Sequence, residues 1–381
     1  MSFEPFALVE WQSRYEPTVE YTLADSSCQP VRLREFLAEA DADRLLDGRQ
    51  HYPSVRGTPA LRELIADWQG CRPEEVLVTV GAAEANTLIM DALVGLDDHV
   101  VLMEPGYRQV WGLARNSGAK IDTCALDEER AWRIDLAALE SLVRPDTRAI
   151  VVTNPNNPTG SVLSAPERAA LVAVAARNGA WLVVDEVHRG TELDVDTVTP
   201  TLWGGYDRLI CVGSLSKAFA LPGLRVGWIV APAEFLTRVW RRHEYLTVST
   251  GMLAMQVGEL ALAPATRDRL LDRNRRLMRA GRSLLVDWVE AHPELVSIVP
   301  PTATALGFVR YRAPMTSLEV ANALRVRGGV LVGAGAHFGW EGHFRVIHSL
   351  DPGYVSAALD RVATVLAEGV TGVLPEEVGP G

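Results

Sequence analysis

The sequence predicts an α/β protein: a mostly parallel sheet covered by helices, followed by a small α+β domain. Three observations predict it. From Glu75 to about residue 230, short near-continuous Val/Ile/Leu runs alternate with helical stretches. Strands that are apolar on both faces belong to sheets covered on both sides, and such sheets are mostly parallel. The chemically distinctive residues stand just beyond the carboxyl ends of these runs, where sheets of this kind bind ligands. After Pro300-Pro301 the order changes to closely spaced strands and helices, as in a small separate unit.

Taken in order, the chain begins with scattered aromatics and no clear period up to about Gln50. Asp25-Ser26-Ser27-Cys28-Gln29-Pro30 reads as a loop and 31–46 as a helix. The next helix, 60–68, follows Pro59, whose missing N–H costs nothing at a helix start. A strand at 76–80 leads into a tight turn, Gly81-Ala82-Ala83-Glu84, and a helix at 85–94 that Gly95 can end. The strand 100–103 closes at Glu104-Pro105-Gly106-Tyr107, and a helix runs on through Arg115. The strand 149–153 enters Asn154-Pro155-Asn156-Asn157-Pro158-Thr159-Gly160. Helix 166–178 and strand 181–184 lead to Asp185-Glu186-Val187-His188, and strands 209–212 and 225–230 complete the set. A helix from 233 to 245 and a longer one, 265–291, follow; the second has the length of an interdomain spine. The last unit reads as strand 307–311, helix 317–327, strands 330–332 and 344–348, and helix 354–366. Residues 375–381 look like a frayed tail.

Composition narrows the function. At 381 residues the chain suggests about two domains. A formal net charge of -11, spread along the chain, argues against nucleic acid or an anionic membrane as partner. No apolar run has the length of a membrane span, and Met1-Ser2-Phe3-Glu4-Pro5 lacks the features of a signal peptide. Cys28, Cys71, Cys124 and Cys211 are far apart and form no CxxC, which fits free thiols in a cytoplasmic protein and no metal site.

The stretch that carries chemistry is Ser214-Leu215-Ser216-Lys217, with Arg225 eight residues past the lysine. Lys217 and Lys120 are the only two lysines in the chain; arginine supplies the other basic side chains. Arginine stays protonated and cannot be a nucleophilic amine, whereas a buried lysine can form a Schiff base with a carbonyl. Hydroxyls, a loop and an arginine near one amine suggest that a phosphate is held beside it.

With Asn-Pro-Asn-Asn-Pro-Thr-Gly at 154–160 and Asp-x-x-His at 185–188, this stretch resembles the pyridoxal-phosphate enzymes of fold type I, in the class I/II aminotransferase group. The resemblance runs from Tyr52 to Arg345. It implies a fold type I large domain at 49–285, a small C-terminal domain at 286–381, and an N-terminal segment at 1–48 packing with the small domain. It implies pyridoxal 5'-phosphate as cofactor, an L-amino acid as substrate, and amino-group transfer to a 2-oxo acid. By the resemblance, Lys217 holds the cofactor as an internal aldimine and moves the substrate's α-proton. Asp185 pairs with the pyridine nitrogen, Asn157 and His188 face the ring oxygen, and Tyr107 stacks on the ring. Ser214, Ser216, Arg225 and the backbone N–H groups of Ala82 and Ala83 form the phosphate cup. Arg345, with Asn157 beside it, takes the substrate α-carboxylate, a match of planar fork to planar anion. Tyr52 corresponds to the tyrosine that reaches the neighbouring subunit's phosphate, which implies a homodimer with shared sites.

His188 departs from the pattern, since transaminases usually carry tyrosine there. An imidazole can donate the same hydrogen bond, but it is expected to titrate near neutrality. The Asp-Glu-Val-His string is similar to that of C–S lyases. The stretch 215–228, with Glu244-Tyr245-Leu246-Thr247, is similar to the capreomycidine synthase branch, which implies elimination and cyclisation of a hydroxyarginine in natural-product biosynthesis as the alternative reaction. Substrate specificity is expected from residues near 25–28, His188, Ser249 and Thr250. A ligand-sensing transcription regulator is disfavoured because the chain shows no basic patch, and a nicotinamide enzyme because no GxGxxG follows the first strand.

Overall fold

The computed structural model describes residues 3–369, so the tail expected at 375–381 lies outside the described residues. The N-terminal segment contains helix α1 (Ala7–Tyr15), the short strand β1 (Tyr21–Thr22) and helix α2 (Glu39–Asp47). Helix α3 (Pro59–Gln69) is closed at both ends: the Thr58 hydroxyl accepts from Leu61 N–H, and Gly70 ends it in the left-handed region. The α/β run then follows as β2 (Val76–Val80), α4 (Gly81–Leu93), β3 (His99–Glu104), α5 (Gln109–Asn116), β4 (Lys120–Asp127), β5 (Arg133–Ile134) and α6 (Leu136–Leu142). It continues as β6 (Thr147–Thr153), α7 (Ala165–Asn178), β7 (Trp181–Asp185), β8 (Leu209–Ser214) and β9 (Val226–Val230). Three helices come next: α8 (Ala233–Leu246), α9 (Met252–Leu262) and the 28-residue α10 (Pro264–Ala291). The chain ends in β10 (Val296–Ile298), β11 (Leu306–Tyr311), α11 (Ser317–Gly328), β12 (Val330–Leu331), β13 (Gly333–Ala334), β14 (His343–Ile347) and α12 (Pro352–Ala367).

The large sheet has the order β2-β9-β8-β7-β6-β3-β4-β5. Strands β4, β3, β6, β7 and β8 pair in parallel, while β9 is antiparallel to both its neighbours and β5 is antiparallel to β4. Successive residues of one strand feed different cores. Val76 and Val78 point to a layer with α3, α7 and α9, and Leu77 to a layer with α4, α5 and α8. That alternation is why the strands read as continuous apolar runs. A third core joins α10, α11 and α12 to the smaller antiparallel sheet β10-β11-β14-β13. The N-terminal segment enters this third core: β1 pairs in parallel with β12, and Trp11 Nε1 donates to Val332 O at 3.0 Å.

Several local expectations are corrected. The helix expected at 31–46 is broken into a 3-10 turn at Leu33–Glu35 and α2, because Phe36 turns into the core and Ala38 is extended. The tight turn expected at 81–84 is the first turn of α4. Gly81, at φ 73°, reverses the chain by itself, and Glu84 caps the helix by accepting from Val80 N–H at 2.6 Å. The strand expected at 330–332 splits into β12 and β13, which belong to different sheets. The run at 225–230 is antiparallel, not a further parallel strand. Elements α1, β1, β4, β5, α6, α9 and β10 are not among the expected ones.

Candidate active site

The reversal of β9 builds the site. Parallel strands β7 and β8 end at the same sheet edge as β2, and an antiparallel β9 must begin there. Arg225, just before β9, therefore lies beside the β2–α4 junction. The approach is close: a Cβ on Gly81 would sit 2.2 Å from Arg225 Nη2, and one on Gly227 would sit 2.4 Å from the Gly81 carbonyl carbon. Only glycines permit this contact. The first N–H groups of α4, at Ala82 and Ala83, open toward the same cleft with no intrahelical partner. Ser214 ends β8, and its hydroxyl accepts from Ser216 N–H at 3.2 Å. A cleft of about 670 Å³ opens here, lined by Ala82, Ala83, Tyr107, Asn157, Asp185, His188, Ser214, Ser216, Lys217 and Arg225.

Lys217 lies in the connection between β8 and β9. Its Nζ donates to Ser26 Oγ at 2.7 Å and to Ser27 Oγ at 3.3 Å, and Ser27 Oγ donates to Ser216 O at 3.2 Å. The N-terminal loop thus meets the lysine loop. Burial pushes the Lys217 amine down to about 8, against the upward pull of Asp25.

Asp185 ends β7, and its Oδ1 accepts from Val187 N–H at 3.0 Å. Burial raises its carboxyl to about 6, while Val187 N–H and the Asn86 amide favour the ionised form. Asn86, on α4, is held in turn by Gln109 Oε1 at 3.1 Å. Glu186, the next residue, faces away and accepts from Leu202 N–H at 2.9 Å and from the Thr201 hydroxyl. His188 is 1% exposed. Burial and the cations of Lys217 and Arg345 push its imidazole down to about 3. The expectation that it titrates near neutrality is corrected: it stays uncharged through the neutral range.

Arg345, on β14, crosses from the small sheet to the cleft and is 1% exposed. Its Nη1 donates to Asn157 Oδ1 at 3.1 Å, and its Nη2 donates to the carbonyls of Ala24 and Asp25. Its Nε has no protein partner, and its guanidinium carbon lies 4.8 Å from the Phe338 ring centroid. A buried guanidinium with an unused N–H suits an incoming carboxylate. The Tyr107 ring meets Phe6 edge to face at 5.1 Å, and burial raises its hydroxyl to about 12.

The structure gathers the sequence-predicted residues in one cleft, with Arg345 joined to it through Asn157 and Tyr52 as the exception. Tyr52 is 89% exposed on a separate loop. Ser249 and Thr250, expected near the substrate, do not line this cleft. Sequence reasoning missed Asn86, Gln109 and the roles of Ser26 and Ser27. Asn86 sits one turn beyond Ala82 and Ala83, so helical periodicity could have found it. The other three depend on long-range packing.

The residues fit a phosphorylated aldehyde cofactor: an amine of lowered basicity, a cup of hydroxyls, arginine and helix N–H groups, and a buried carboxylate. Such a site at the carboxyl edge of such a sheet defines a fold type I pyridoxal 5'-phosphate enzyme. The model described as aminotransferase class I and II matches residues 21–362, and the chain belongs to that family, whose members use pyridoxal 5'-phosphate. Capreomycidine synthase from Streptomyces vinaceus is 32% identical over 317 residues, covering 82% of this chain and 79% of that protein. Arginine–pyruvate transaminase from Pseudomonas aeruginosa is 28% identical over 341 residues, covering 87% and 86%. A pyridoxal-phosphate-dependent aminotransferase from Streptococcus suis superposes with a TM-score of 0.90 at 30% identity, over 97% of this chain and 99% of that one.

Proposed function

We propose that this enzyme is an aminotransferase acting on an L-amino acid, with Lys217 as the amine that holds the cofactor and moves the substrate's α-proton. The supporting observation is a lysine pushed down to about 8 in the same cleft as a buried arginine with a free N–H. When bound, pyridoxal phosphate supplies a carbonyl that captures the amino group and a ring that can accept an electron pair. The rest falls to the chain. Arg345 binds the α-carboxylate and fixes which bond at Cα faces Lys217 Nζ. The Lys217 amine takes the proton from Cα and returns it elsewhere, as a base of this pKa can near neutrality. Asp185 would serve the ring nitrogen; burial raises its carboxyl to about 6, and Val187 N–H and the Asn86 amide oppose that rise. Tyr107 would cover the ring, and His188 and Asn157 would offer neutral hydrogen bonds to its oxygen. Ser214, Ser216, Arg225 and the N–H groups of Ala82 and Ala83 hold the phosphate.

The second reading keeps these residues and changes the outcome to elimination with cyclisation, or to C–S cleavage. Its support is the 32% identity to capreomycidine synthase and an imidazole at position 188. Products formed with and without an added 2-oxo acid separate the two. An aminotransferase needs the acceptor for repeated turnover; a lyase or cyclase does not. We also propose a homodimer in which Tyr52 serves the partner's phosphate, domains at 49–285 and 286–381, and a cytoplasmic setting, which four free cysteines favour.

A further inference from the structure

The charged side chains in or next to the cleft have tasks in the proposed reaction, except Asp25, the neighbour of cleft-lining Ser26. Arg345 takes the α-carboxylate, Lys217 and Asp185 serve the cofactor ring, and Arg225 serves the phosphate. Asp25 is placed firmly all the same. Arg345 Nη2 donates to the carbonyls of Ala24 and of Asp25 itself, the latter at 3.4 Å. The next residue, Ser26, accepts from Lys217 Nζ at 2.7 Å. Residues 24–26 therefore bridge Arg345, which takes the substrate carboxylate, and Lys217, which moves the proton at Cα. They are placed to border the substrate's side chain.

The Asp25 carboxylate is held only at one oxygen, Oδ1, by the Ser26 N–H at 2.5 Å. Among the described residues it makes no ion pair, and it is exposed to solvent. Its charge nevertheless reaches the cleft: it is the largest charge influence on both Lys217 and Arg345. A carboxylate with a free oxygen at this wall attracts a guanidinium or ammonium and repels a second substrate carboxylate.

We propose that Asp25 is a specificity residue that selects L-amino acids with a cationic side chain. The proposal rests on the amino-acid reading of the site given above. The test titrates the holoenzyme with L-arginine, its neutral isostere L-citrulline, L-norleucine and L-glutamate. Apparent affinity is read from the cofactor's visible spectrum, and kcat and KM are measured separately. Wild type should bind L-arginine about tenfold or more tightly than L-citrulline, the scale of one charge-assisted contact, and bind L-glutamate worst. Asp25→Asn, which can keep the turn at Ser26, should bring arginine and citrulline to within about twofold. Citrulline and norleucine, which lack the side-chain charge, should shift together through Lys217 and Arg345, so their ratio should stay the same. Equal binding of arginine and citrulline by wild type would overturn the role of Asp25, whatever the variant's folding. So would a preference that survives in Asp25→Asn. If no amino acid changes the spectrum or gives product, the amino-acid reading itself is overturned, and Asp25's role with it.

Discussion

Lys217 and Lys120 are the same residue type in opposite surroundings. Lys120 is exposed, paired with Asp97 at 3.2 Å, and does not line the cleft. Lys217, in the cleft, is pushed down to about 8. Borohydride reduction of the holoenzyme should therefore fix the cofactor on Lys217, and Lys217→Ala should show no fixed cofactor by peptide mass. A reduced adduct on Lys120 in that variant would refute the assignment. The histidines make a second prediction. Burial pushes His188 and His348 to about 3 each, so the folded protein leaves both uncharged. Unfolded histidine binds a proton at about pH 6.5. The unfolded state then binds more protons below that pH, so stability is present above it and lost as pH falls toward 3. Each histidine contributes a slope of at most about 1.4 kcal/mol per pH unit. The urea midpoint should fall between pH 6.5 and 5, and His348→Leu should flatten that fall; an unchanged slope would mean that the buried histidines do not drive it. At this scale the sequence was most legible for residues in short motifs, such as Asp185 and Lys217. It misled at His188, whose titration is set by neighbours from other parts of the chain.

At the scale of elements, strands buried on both faces were the easiest to read, because β6, β7 and β8 carry unbroken apolar runs. The missed elements lack such a pattern. Strand β4 has exposed and half-buried residues along most of its length, and α9 is apolar nearly all round, so neither shows a clean period. The direction of β9 is invisible locally: Val-Gly-Trp-Ile-Val reads the same in either orientation, and only pairing decides. Its direction brings Arg225 to the β2–α4 junction, and Gly81 is what that contact requires. Gly81→Ala should leave the fold largely intact but displace the guanidinium, since the new Cβ falls 2.2 Å from Nη2 and the backbone has φ 73°. Reconstitution of apoprotein with pyridoxal phosphate should then need about tenfold or more cofactor, the effect of one lost charge-assisted contact. Unchanged cofactor affinity in Gly81→Ala would remove Arg225 from the phosphate cup.

At the scale of the whole molecule, the proposed dimer turns on Tyr52. Tyr52 is 89% and Tyr245 92% exposed, unusual for large aromatics that face only water. Both stand beside the α8–α9 region: Tyr52 follows Gly48, where a Cβ would lie 3.7 Å from Gln256 Nε2 of α9, and Tyr245 is in the last turn of α8, the helix before α9. A partner covering that region would bury them and could receive Tyr52 at its own phosphate cup. The arrangement has a consequence that a self-contained subunit does not share. Tyr52→Ala should weaken cofactor binding and lower activity at limiting cofactor, and Lys217→Ala should be inactive. In a hybrid dimer, the chain with intact Lys217 receives an intact Tyr52 from its Lys217→Ala partner, which restores one complete site. Mixing the two inactive or weakened variants after subunit exchange should therefore raise activity at limiting cofactor above the sum of the parts, toward about one quarter of wild type, since half the dimers are hybrids with one complete site each. Strictly additive activity in a mixture shown by mass spectrometry to contain hybrids would confine Tyr52 to its own subunit.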